Sequence, residues 1–380
     1  MTQRAAAVTW AEVDLDAYQA NLRALQQWVG PRVQVFAVVK ANAYGHGLVP
    51  VARAAVQAGA TRLVVHRLEE GLALRAAGIA APILLLGYVP VAAAPAVAQH
   101  GLIPTVITLE FLQALASHAS PARPHPVHIN VDTGMGRYGL LPHEVVDFLR
   151  AVQHIPGVQV EGLYTHFATA DEADTTYLQR QWTVFREVLA AVEAAGLMPP
   201  VRHACNSAAT FALPAAHLDA VRPGIATYGL RPSLAWEPPV PLRPVLTWKS
   251  RVARVRTLPA GSSIGYGRTY ITKRPTTVAL VPVGYGDGYV RRLSNRAQVL
   301  VRGQRAPVVG RVSMDQIVVD VSHIPGVALE DEVVLLGAQG EARITAEEMA
   351  AWAETINYEV TTLMLPRVPR VYHGAAASLA

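Results

Sequence analysis

Cysteine is almost absent from this sequence, since Cys205 is the only one among 380 residues. A single thiol excludes an internal disulfide framework and is typical of a reducing compartment. The chain also lacks the apolar core of a signal peptide and any apolar run long enough to span a bilayer. We therefore expect a cytoplasmic protein with no membrane partner.

Charged residues are sparse as well, at 16% of the chain. Lysine and arginine exceed aspartate and glutamate only modestly, 33 against 28, and they are scattered along the sequence. This pattern gives no support to a nucleic-acid partner. The histidines His125 and His128 lie three residues apart near a strand, which places their side chains on opposite faces. We predict no catalytic metal.

No Gly-x-Gly-x-x-Gly motif follows the first buried strand, which argues against an open, doubly wound sheet. Short apolar runs instead alternate with helical patterns, and this alternation predicts parallel pairing. Eight strands is the number that closes a TIM barrel. We predict an α/β fold with a (β/α)8 TIM barrel over residues 16-238. Its strands are expected near residues 33–39, 63–65, 83–86, 103–107, 127–131, 158–164, 201–204 and 221–222.

Helical periodicity ends where prolines cluster near residues 238–244. Strand-like alternation and glycine turns take over from there, which predicts a mostly-β C-terminal domain over residues 239-380. One short helix is expected at residues 345–352. Residues 1-15 are predicted to form an N-terminal strand that packs with this C-terminal domain.

The first barrel strand ends in the sequence VVKANAYGHG at residues 38–47, with Lys40 directly after the apolar run. A lysine at the end of a buried strand is desolvated, which disfavours its ammonium form. A neutral amine is a nucleophile whose usual partner is a carbonyl group, as in a Schiff base. Taken alone, Lys40 is more simply a solvated lysine at a strand end.

Polar residues follow several other predicted strands. A TIM barrel places its chemistry at the C-terminal ends of its strands, so these residues are expected to lie close together. They occupy positions 132–137, 165–166, 205–207 and 222–225.

These motifs and those of the C-terminal half closely resemble the alanine racemases, which are fold-type III pyridoxal-phosphate enzymes. Any one motif is weak evidence, but their joint occurrence in this order is hard to ascribe to chance. The matching stretches are residues 38–47, 132–137, 222–225, 264–268, 283–289 and 313–315. The resemblance implies an isomerase that interconverts L-alanine and D-alanine and supplies a peptidoglycan precursor.

The resemblance implies that Lys40 holds pyridoxal 5'-phosphate through a Schiff base, and that the cofactor serves as an electron sink. Racemisation needs one base on each face of a planar carbanion. Lys40 is implied for one face and Tyr266 for the other. The family is a homodimer in which Tyr266 and Met314 reach the active site of the partner subunit. Without the motif, Tyr266 would be an ordinary tyrosine in a glycine-rich hairpin.

The resemblance places Arg222 at the pyridine nitrogen of the cofactor, where many such enzymes use an aspartate. A guanidinium effectively never gives up its proton, so the pyridine nitrogen should stay unprotonated. A weaker electron sink and suppressed transamination would follow. His166 is implied beside the ring, bridging towards Arg222. The remaining implied cofactor-binding residues, mostly phosphate donors, are Tyr44, Asn206, Ser207, Gly224, Ile225 and Tyr358.

The substrate carboxylate is assigned by the resemblance to Arg137 and the backbone N–H of Met314. Arginine suits this task because its fork of donors matches a planar carboxylate. Tyr285 and Tyr358 are implied to narrow the entrance, which favours a small side chain such as a methyl group.

The chain departs from the family pattern at two places. Asn130 stands where the family commonly has a carbamylated lysine that orients the arginine, so either the Asn130 amide or a bound anion would have to hold Arg137. Residues 66–67 are His-Arg where small residues are common. Asn130 motivates the alternative of a broad-specificity amino-acid racemase. Two further alternatives are less favoured. A non-catalytic pyridoxal-phosphate carrier lacks the β domain that this chain has, and a related decarboxylase pairs the ring nitrogen with an acidic residue where this chain has Arg222.

Overall fold

The computed structural model describes residues 7–375 and 377, which divide into two compact units. One unit comprises Tyr18–Ala43 and Leu48–Arg243. The other comprises Tyr44–Gly47 together with residues 7–17 and 244–375. Within the described residues, no helix has both the length and the apolar character needed to cross a membrane.

The first unit contains an eight-stranded parallel sheet in the spatial order β5-β4-β3-β2-β9-β8-β7-β6. A parallel bridge between Thr105 and His128 joins its two ends, and the Val106 N–H donates to the His128 carbonyl at 2.8 Å. The sheet is therefore closed, and the predicted TIM barrel is confirmed. Its strands are β2 (Gln34–Val38), β3 (Arg62–Val65), β4 (Ile83–Leu85), β5 (Ile103–Pro104), β6 (His125–Asn130), β7 (Val158–Tyr164), β8 (Val201–His203) and β9 (Ala220–Val221).

Helices follow most of the barrel strands and bury one apolar face each. In α1, Tyr18, Leu22 and Leu25 recur at helical spacing and are fully buried. The longest helix, α7, ends before Gly196, whose φ of +69° favours glycine. The helices are α1 (Leu15–Val29), α2 (Leu48–Gln57), α3 (Leu68–Ala76), α4 (Ala94–Gln99), α5 (Leu109–Ala116), α6 (Val145–Gln153), α7 (Thr176–Ala194) and α8 (Ser207–Ala212).

The second unit is mostly β, as predicted for the C-terminal part of the chain. Its main sheet has the order β16-β15-β18-β10-β1-β20, with β19 paired to β18. Smaller sheets are β11-β14-β17 and β12-β13. The strands are β1 (Thr9–Asp14), β10 (Leu246–Arg251), β11 (Arg254–Leu258), β12 (Ser263–Ile264), β13 (Tyr270–Ile271), β14 (Thr276–Val281), β15 (Gln298–Val301), β16 (Gln304–Pro307), β17 (Ile317–Asp320), β18 (Glu332–Gln339), β19 (Ala342–Ile344) and β20 (Arg370–His373).

The N-terminal strand β1 lies inside the main sheet of the second unit, antiparallel to β10 and parallel to β20. Lys249 on β10 lies 3.0 Å from Glu12 on β1 and 3.2 Å from Glu332 on β18. Because the Lys249 and Glu12 side chains are largely shielded from solvent, these ion pairs across three strands favour the register of the strands. Two helices complete the unit, α9 (Ala346–Ala353) and α10 (Asn357–Thr362).

Candidate active site

Lys40 begins a left-handed turn at the C-terminal end of β2. Ala41, Asn42 and Ala43 have φ of 53–54° and ψ of 44–53°, and Tyr44 has φ of 52°. A left-handed conformation costs roughly 1–2 kcal/mol for each residue that carries a Cβ. Such a run persists only where its surroundings hold it, and strain of this kind is concentrated at functional sites.

The Glu70 carboxylate holds the start of this turn. Its Oε1 accepts a hydrogen bond from the Ala41 N–H at 2.6 Å. Its Oε2 accepts from the N–H groups of His66 and Arg67 at 2.9 and 3.0 Å. Glu70 thus joins the end of β3, the first turn of α3 and the residue next to Lys40. Asn42 holds the far side of the turn, where its Oδ1 accepts from the Leu48 N–H at 2.8 Å.

The Lys40 amine lies in a cationic environment. Burial lowers its pKa from the usual 10.5, and the charges of Arg137 and Arg222 lower it further, while Glu70 acts in the opposite direction. Burial and the two positive charges disfavour the ammonium form. The result is an amine that loses its proton more readily than a solvated lysine, as nucleophilic and proton-transfer chemistry requires.

Arg137 lies in the loop after β6, and Asp132 organises that loop. The Asp132 Oδ1 accepts from the N–H groups of Gly134 and Gly136, at 2.9 and 3.0 Å. Its Oδ2 accepts from the Arg137 N–H at 3.2 Å. The carboxylate thereby fixes the backbone of Arg137 while its guanidinium stays exposed to solvent.

Asn130 does not hold Arg137 through its amide. Its Nδ2 donates to the carbonyl of Tyr138, the next residue along, at 2.7 Å. Its Oδ1 is buried and has no hydrogen-bond partner within the described part of the chain. The alternative in which the Asn130 amide holds the Arg137 side chain is therefore not seen, because that amide binds the backbone of Tyr138 instead.

Arg222 is 3% exposed and lies just after β9. Its Nη1 lies 2.5 Å from His203 Nδ1, and its Nη2 donates to the carbonyls of Thr165 and Ala204 at 2.7 and 3.1 Å. Within residues 7–375, neither its Nε–H nor the second of its two Nη1 N–H groups has a hydrogen-bond acceptor, so these two donors are left for a ligand. Burial lowers the pKa of Arg222 to about 10, which leaves the guanidinium charged at neutral pH.

His166 follows β7 and lies beside Arg222, with its Nδ1 3.3 Å from the Arg222 Nη2. Burial lowers its pKa well below 6.5, and the charges of Arg222, Arg137 and Lys40 act in the same direction. His166 is therefore neutral at pH 7. The shared electrostatics show that the barrel brings these four predicted site residues together.

Ser207 and Gly224 meet where β8 and β9 end. Ser207 Oγ accepts from the N–H groups of Gly224 and Ala226, at 2.8 and 3.3 Å. The hydroxyl therefore keeps its own proton available as a donor, while the Gly224 N–H is already used inside the protein. Asn206 caps α8, since its Oδ1 accepts from the Ala209 N–H at 2.9 Å. Ile225 begins a 3-10 turn, so its N–H has no partner within that turn.

Tyr44 and Tyr358 both belong to the second unit, where their ring centroids lie 6.3 Å apart. Burial raises the pKa of the Tyr44 phenol, which therefore stays protonated and able to donate. Gly45 makes this packing possible, because a Cβ at this position would lie 2.0 Å from the Thr361 carbonyl oxygen.

Three other predicted residues of the second unit are exposed. Tyr266 lies in a short turn between β12 and β13 and is 70% exposed. Tyr285 and Met314 are adjacent, because the Tyr285 N–H donates to the Ser313 carbonyl and the Gly286 N–H to the Met314 carbonyl, at 3.1 and 2.8 Å. Tyr285 is 41% and Met314 54% exposed.

Among residues 7–375 and 377, no group of three or more His, Cys, Asp or Glu side chains could hold a metal ion. The polar groups after the barrel strands are thus amines, guanidinium groups, hydroxyls and backbone N–H donors. This set is suited to a ligand that carries an anionic group and a reactive carbonyl.

Family models match nearly the whole chain. The model described as "Alanine racemase, N-terminal domain" matches residues 13–232, and "Alanine racemase, C-terminal domain" matches residues 245–372. The chain belongs to the alanine racemase family. The predicted resemblance is confirmed, and with it the assignment to the amino-acid racemases, an isomerase class.

Individual alanine racemases agree with this assignment. That of Symbiobacterium thermophilum is 52% identical over 97% of this chain and 98% of its own length. The crystal structure of the Bacillus anthracis alanine racemase with bound L-Ala-P has a TM-score of 0.91, at 42% identity over 97% of this chain and 96% of that one. The structure from Bartonella henselae has a TM-score of 0.86 and 33% identity, and covers 97% and 100% of the two chains. That structure contains covalently bound pyridoxal phosphate, the cofactor on which alanine racemases depend.

The search for site residues in the sequence missed Glu70. The signal was available, because a glutamate three residues after the residue that precedes a helix is half of a capping box. Glu70 makes this contact to the Arg67 N–H, but it also binds Ala41 beside Lys40. The capping pattern therefore predicts the contact of Glu70 with the Arg67 N–H at the start of α3, but not its contact with the Ala41 N–H after β2.

Proposed function

We propose that the protein interconverts L-alanine and D-alanine by a two-base mechanism at pyridoxal 5'-phosphate, with Lys40 serving one face of the substrate and Tyr266 of the partner subunit the other. The observation that carries this proposal is the Lys40 amine, whose pKa is lowered by burial and by Arg137 and Arg222. An amine of this kind can take up and return a proton near neutral pH.

The barrel residues fit pyridoxal 5'-phosphate. The phosphate would be held by the Ser207 hydroxyl and the Ile225 N–H, with Gly224 and Asn206 shaping the turn and Tyr44 and Tyr358 as further donors. The Nε–H of Arg222, which has no protein acceptor in the described residues, would donate to an unprotonated pyridine nitrogen, and His166 would lie alongside. When bound, the cofactor supplies the electron sink for the carbanion formed as the substrate loses its α-proton.

The residues divide the remaining work. The Arg137 guanidinium and the Met314 N–H would bind the substrate carboxylate and thereby fix the direction of the Cα–H bond. Lys40 Nζ would exchange a proton with one face of Cα, and Tyr266 Oη with the other. Because Arg222 keeps its charge and can only donate, it would hold the pyridine nitrogen of the bound cofactor in its unprotonated form, which would supply a weaker electron sink.

A homodimer with shared sites is part of this proposal, as is the division into a residue 16-238 barrel and a residue 239-380 domain that reaches the partner. The exposure of Tyr266, Tyr285 and Met314 supports it, since large apolar side chains left uncovered are typical of interaction surfaces. Tyr285 would then help narrow the entrance to the size of a methyl group.

Subunit mixing tests both the bases and the dimer. We expect Lys40→Ala and Tyr266→Phe to lose racemisation by at least about 10²-fold each. A 1:1 mixture of the two, exchanged through mild denaturation, should recover about a quarter of wild-type activity, because half of the dimers would contain one intact site. Tyr88→Phe is the matched control, since Tyr88 is 71% exposed, as Tyr266 is 70% exposed, and has no proposed role in the reaction. No recovery on mixing would contradict a Tyr266 that acts in the partner's site.

A wider substrate range is the second candidate, and Asn130 favours it. Because its amide binds the Tyr138 carbonyl and leaves Arg137 without a side-chain anchor from this residue, Arg137 could adapt to larger substrates. Chiral chromatography after incubation with L-alanine, L-serine, L-lysine and L-arginine decides between the two. D-alanine alone would indicate the narrow enzyme, whereas several D-products would indicate the broad one.

A further inference from the structure

A chain of polar side chains crosses the interior of the barrel from Arg222 to Glu161. Arg222 Nη1 lies 2.5 Å from His203 Nδ1, and His203 Nε2 lies 2.8 Å from His128 Nδ1. His128 Nε2 in turn lies 3.1 Å from Glu161 Oε2. Three different strands, β6, β7 and β8, supply the last three residues, and the mechanism proposed above uses none of them.

The direction of every hydrogen bond in this chain follows from its Arg222 end. A guanidinium can only donate, so His203 Nδ1 must accept and the His203 proton must be on Nε2. That N–H donates to His128 Nδ1, which places the His128 proton on Nε2 as well. The His128 Nε2–H then donates to the Glu161 carboxylate. One pair of tautomers alone satisfies all three contacts. Arg62 Nη1 also lies 3.0 Å from His128 Nε2, but both groups are donors in this pair of tautomers, so the Arg62 N–H groups are assigned to the Glu161 carboxylate.

Burial keeps both imidazoles neutral, as this arrangement requires. Burial lowers the pKa of His128 to about 4 and that of His203 well below 6.5, with the charge of Arg222 acting in the same direction. His203 is also fixed in orientation by the Tyr164 ring, which stacks on it at 4.6 Å with an interplanar angle of 11°. Two neutral rings therefore separate the Arg222 guanidinium from the Glu161 carboxylate.

The backbone is adapted to the chain of side chains at two neighbouring positions. Opposite β6, strand β7 contains an extra residue, since Val127 pairs with Val160 but His128 pairs with Gly162. That extra residue is Glu161, and such bulges commonly redirect a side chain. Gly162 leaves room for the His128 ring, because a Cβ there would lie 2.3 Å from its Nδ1.

Arg62 on β3 holds the Glu161 end. Its Nη1 and Nη2 donate to the two carboxylate oxygens at 2.7 and 2.9 Å. Although burial acts to raise the pKa of Glu161, the hydrogen bonds from Arg62 and His128 outweigh it and hold that pKa well below 4.5. Glu161 is therefore ionised throughout the neutral range.

We propose that Glu161 is the remote counter-ion of Arg222 and acts, through His128 and His203, as a positioning residue for the racemase reaction. This rests on the proposed function in one respect, the contact of Arg222 with the cofactor ring. The chain occupies one of the two Nη1 N–H groups of Arg222 and fixes the plane of the guanidinium. The Nε–H and the second Nη1 N–H are then the donors left for the ring, and the carboxylate, shared with Arg62, stabilises the charge of Arg222.

Two charge-neutralising variants test the proposal. We expect Glu161→Gln to lower kcat about tenfold, the effect of weakening one charge-assisted contact by ~1.4 kcal/mol, with KM changed less than about twofold. The pH midpoint of the cofactor absorbance should shift in the same variant. Asp219→Asn is the matched control, because Asp219 also binds an arginine with two oxygens, at 2.7 and 3.0 Å from Arg202, but lies outside the chain. Equal effects of both variants on kcat and absorbance would overturn the proposal.

Two further measurements keep the result decisive if Glu161→Gln folds poorly. The double variant Arg62→Met with Glu161→Gln leaves no unpaired buried charge, and should show the same loss in kcat; wild-type kcat in this variant would refute the proposal. Proton–nitrogen correlation spectra of 15N-histidine-labelled wild type, without cofactor, should show both His128 and His203 as Nε2–H tautomers. An Nδ1–H tautomer at either His128 or His203 would overturn the chain of contacts. Absence of D-alanine formation would instead overturn the proposed function, and the tautomers would remain informative.

Discussion

Replacing Glu70 by glutamine should loosen the turn that presents Lys40. The carboxylate accepts from three N–H groups, those of Ala41, His66 and Arg67. Glutamine keeps one acceptor oxygen and puts an NH2 group against N–H donors on the other side. If two contacts are lost at about 1 kcal/mol each, the free energy of unfolding should fall by about 2 kcal/mol.

The assay compares Glu70→Gln with Glu69→Gln, which removes an equal charge from the adjacent, exposed position in α3. In thermal unfolding, Glu70→Gln should lower Tm by about 4–8 °C, and Glu69→Gln should change it little. Because the Glu70 charge raises the pKa of Lys40, the glutamine variant should also let Lys40 react with acetic anhydride at lower pH, as mass spectrometry can follow. Equal Tm values for the two variants would refute the role given to Glu70.

Three further perturbations have defined outcomes. Gly45→Ala should destabilise the protein by more than about 2 kcal/mol, because its Cβ would lie 2.0 Å from the Thr361 carbonyl oxygen. Gly78→Ala is the control, since Gly78 has a φ of +78° but no atom near the position of the added Cβ. In thermal unfolding, Gly78→Ala should show only the smaller effect of backbone strain. The pKa of Lys40 is lowered by folding, so between its folded pKa and 10.5 the unfolded chain binds more protons than the folded one, and the free energy of unfolding should rise with pH. Lys40→Met should abolish that rise and increase Tm in the cofactor-free protein. A lower Tm of this variant would contradict the lowered pKa of Lys40. His128 has a pKa of about 4 against the usual 6.5, so stability should fall as the pH drops between these values. Urea unfolding across this range should show a smaller fall for His128→Gln.

The barrel could be predicted from the sequence because its strands are short apolar runs with polar residues directly after them. The left-handed turn at residues 41–44 could not be predicted, because alanine locally favours a right-handed helix, and the contact that holds the start of the turn comes from Glu70, 29 residues away. His128 was considered only beside His125, its neighbour in sequence. Its partners lie 33 and 75 residues away, on other strands, and no local pattern links residues at such separations.

The residues 44–47 pack within the second unit although they are encoded near the start of the first. The Gly45 carbonyl accepts from Arg370 at 3.0 Å, across 325 residues of sequence. During synthesis, the segment next to Lys40 therefore cannot make this contact until Arg370 has been synthesised and has left the ribosome. A nascent barrel would hold the reactive lysine on an unfinished loop, so competence for cofactor capture is expected only after translation ends.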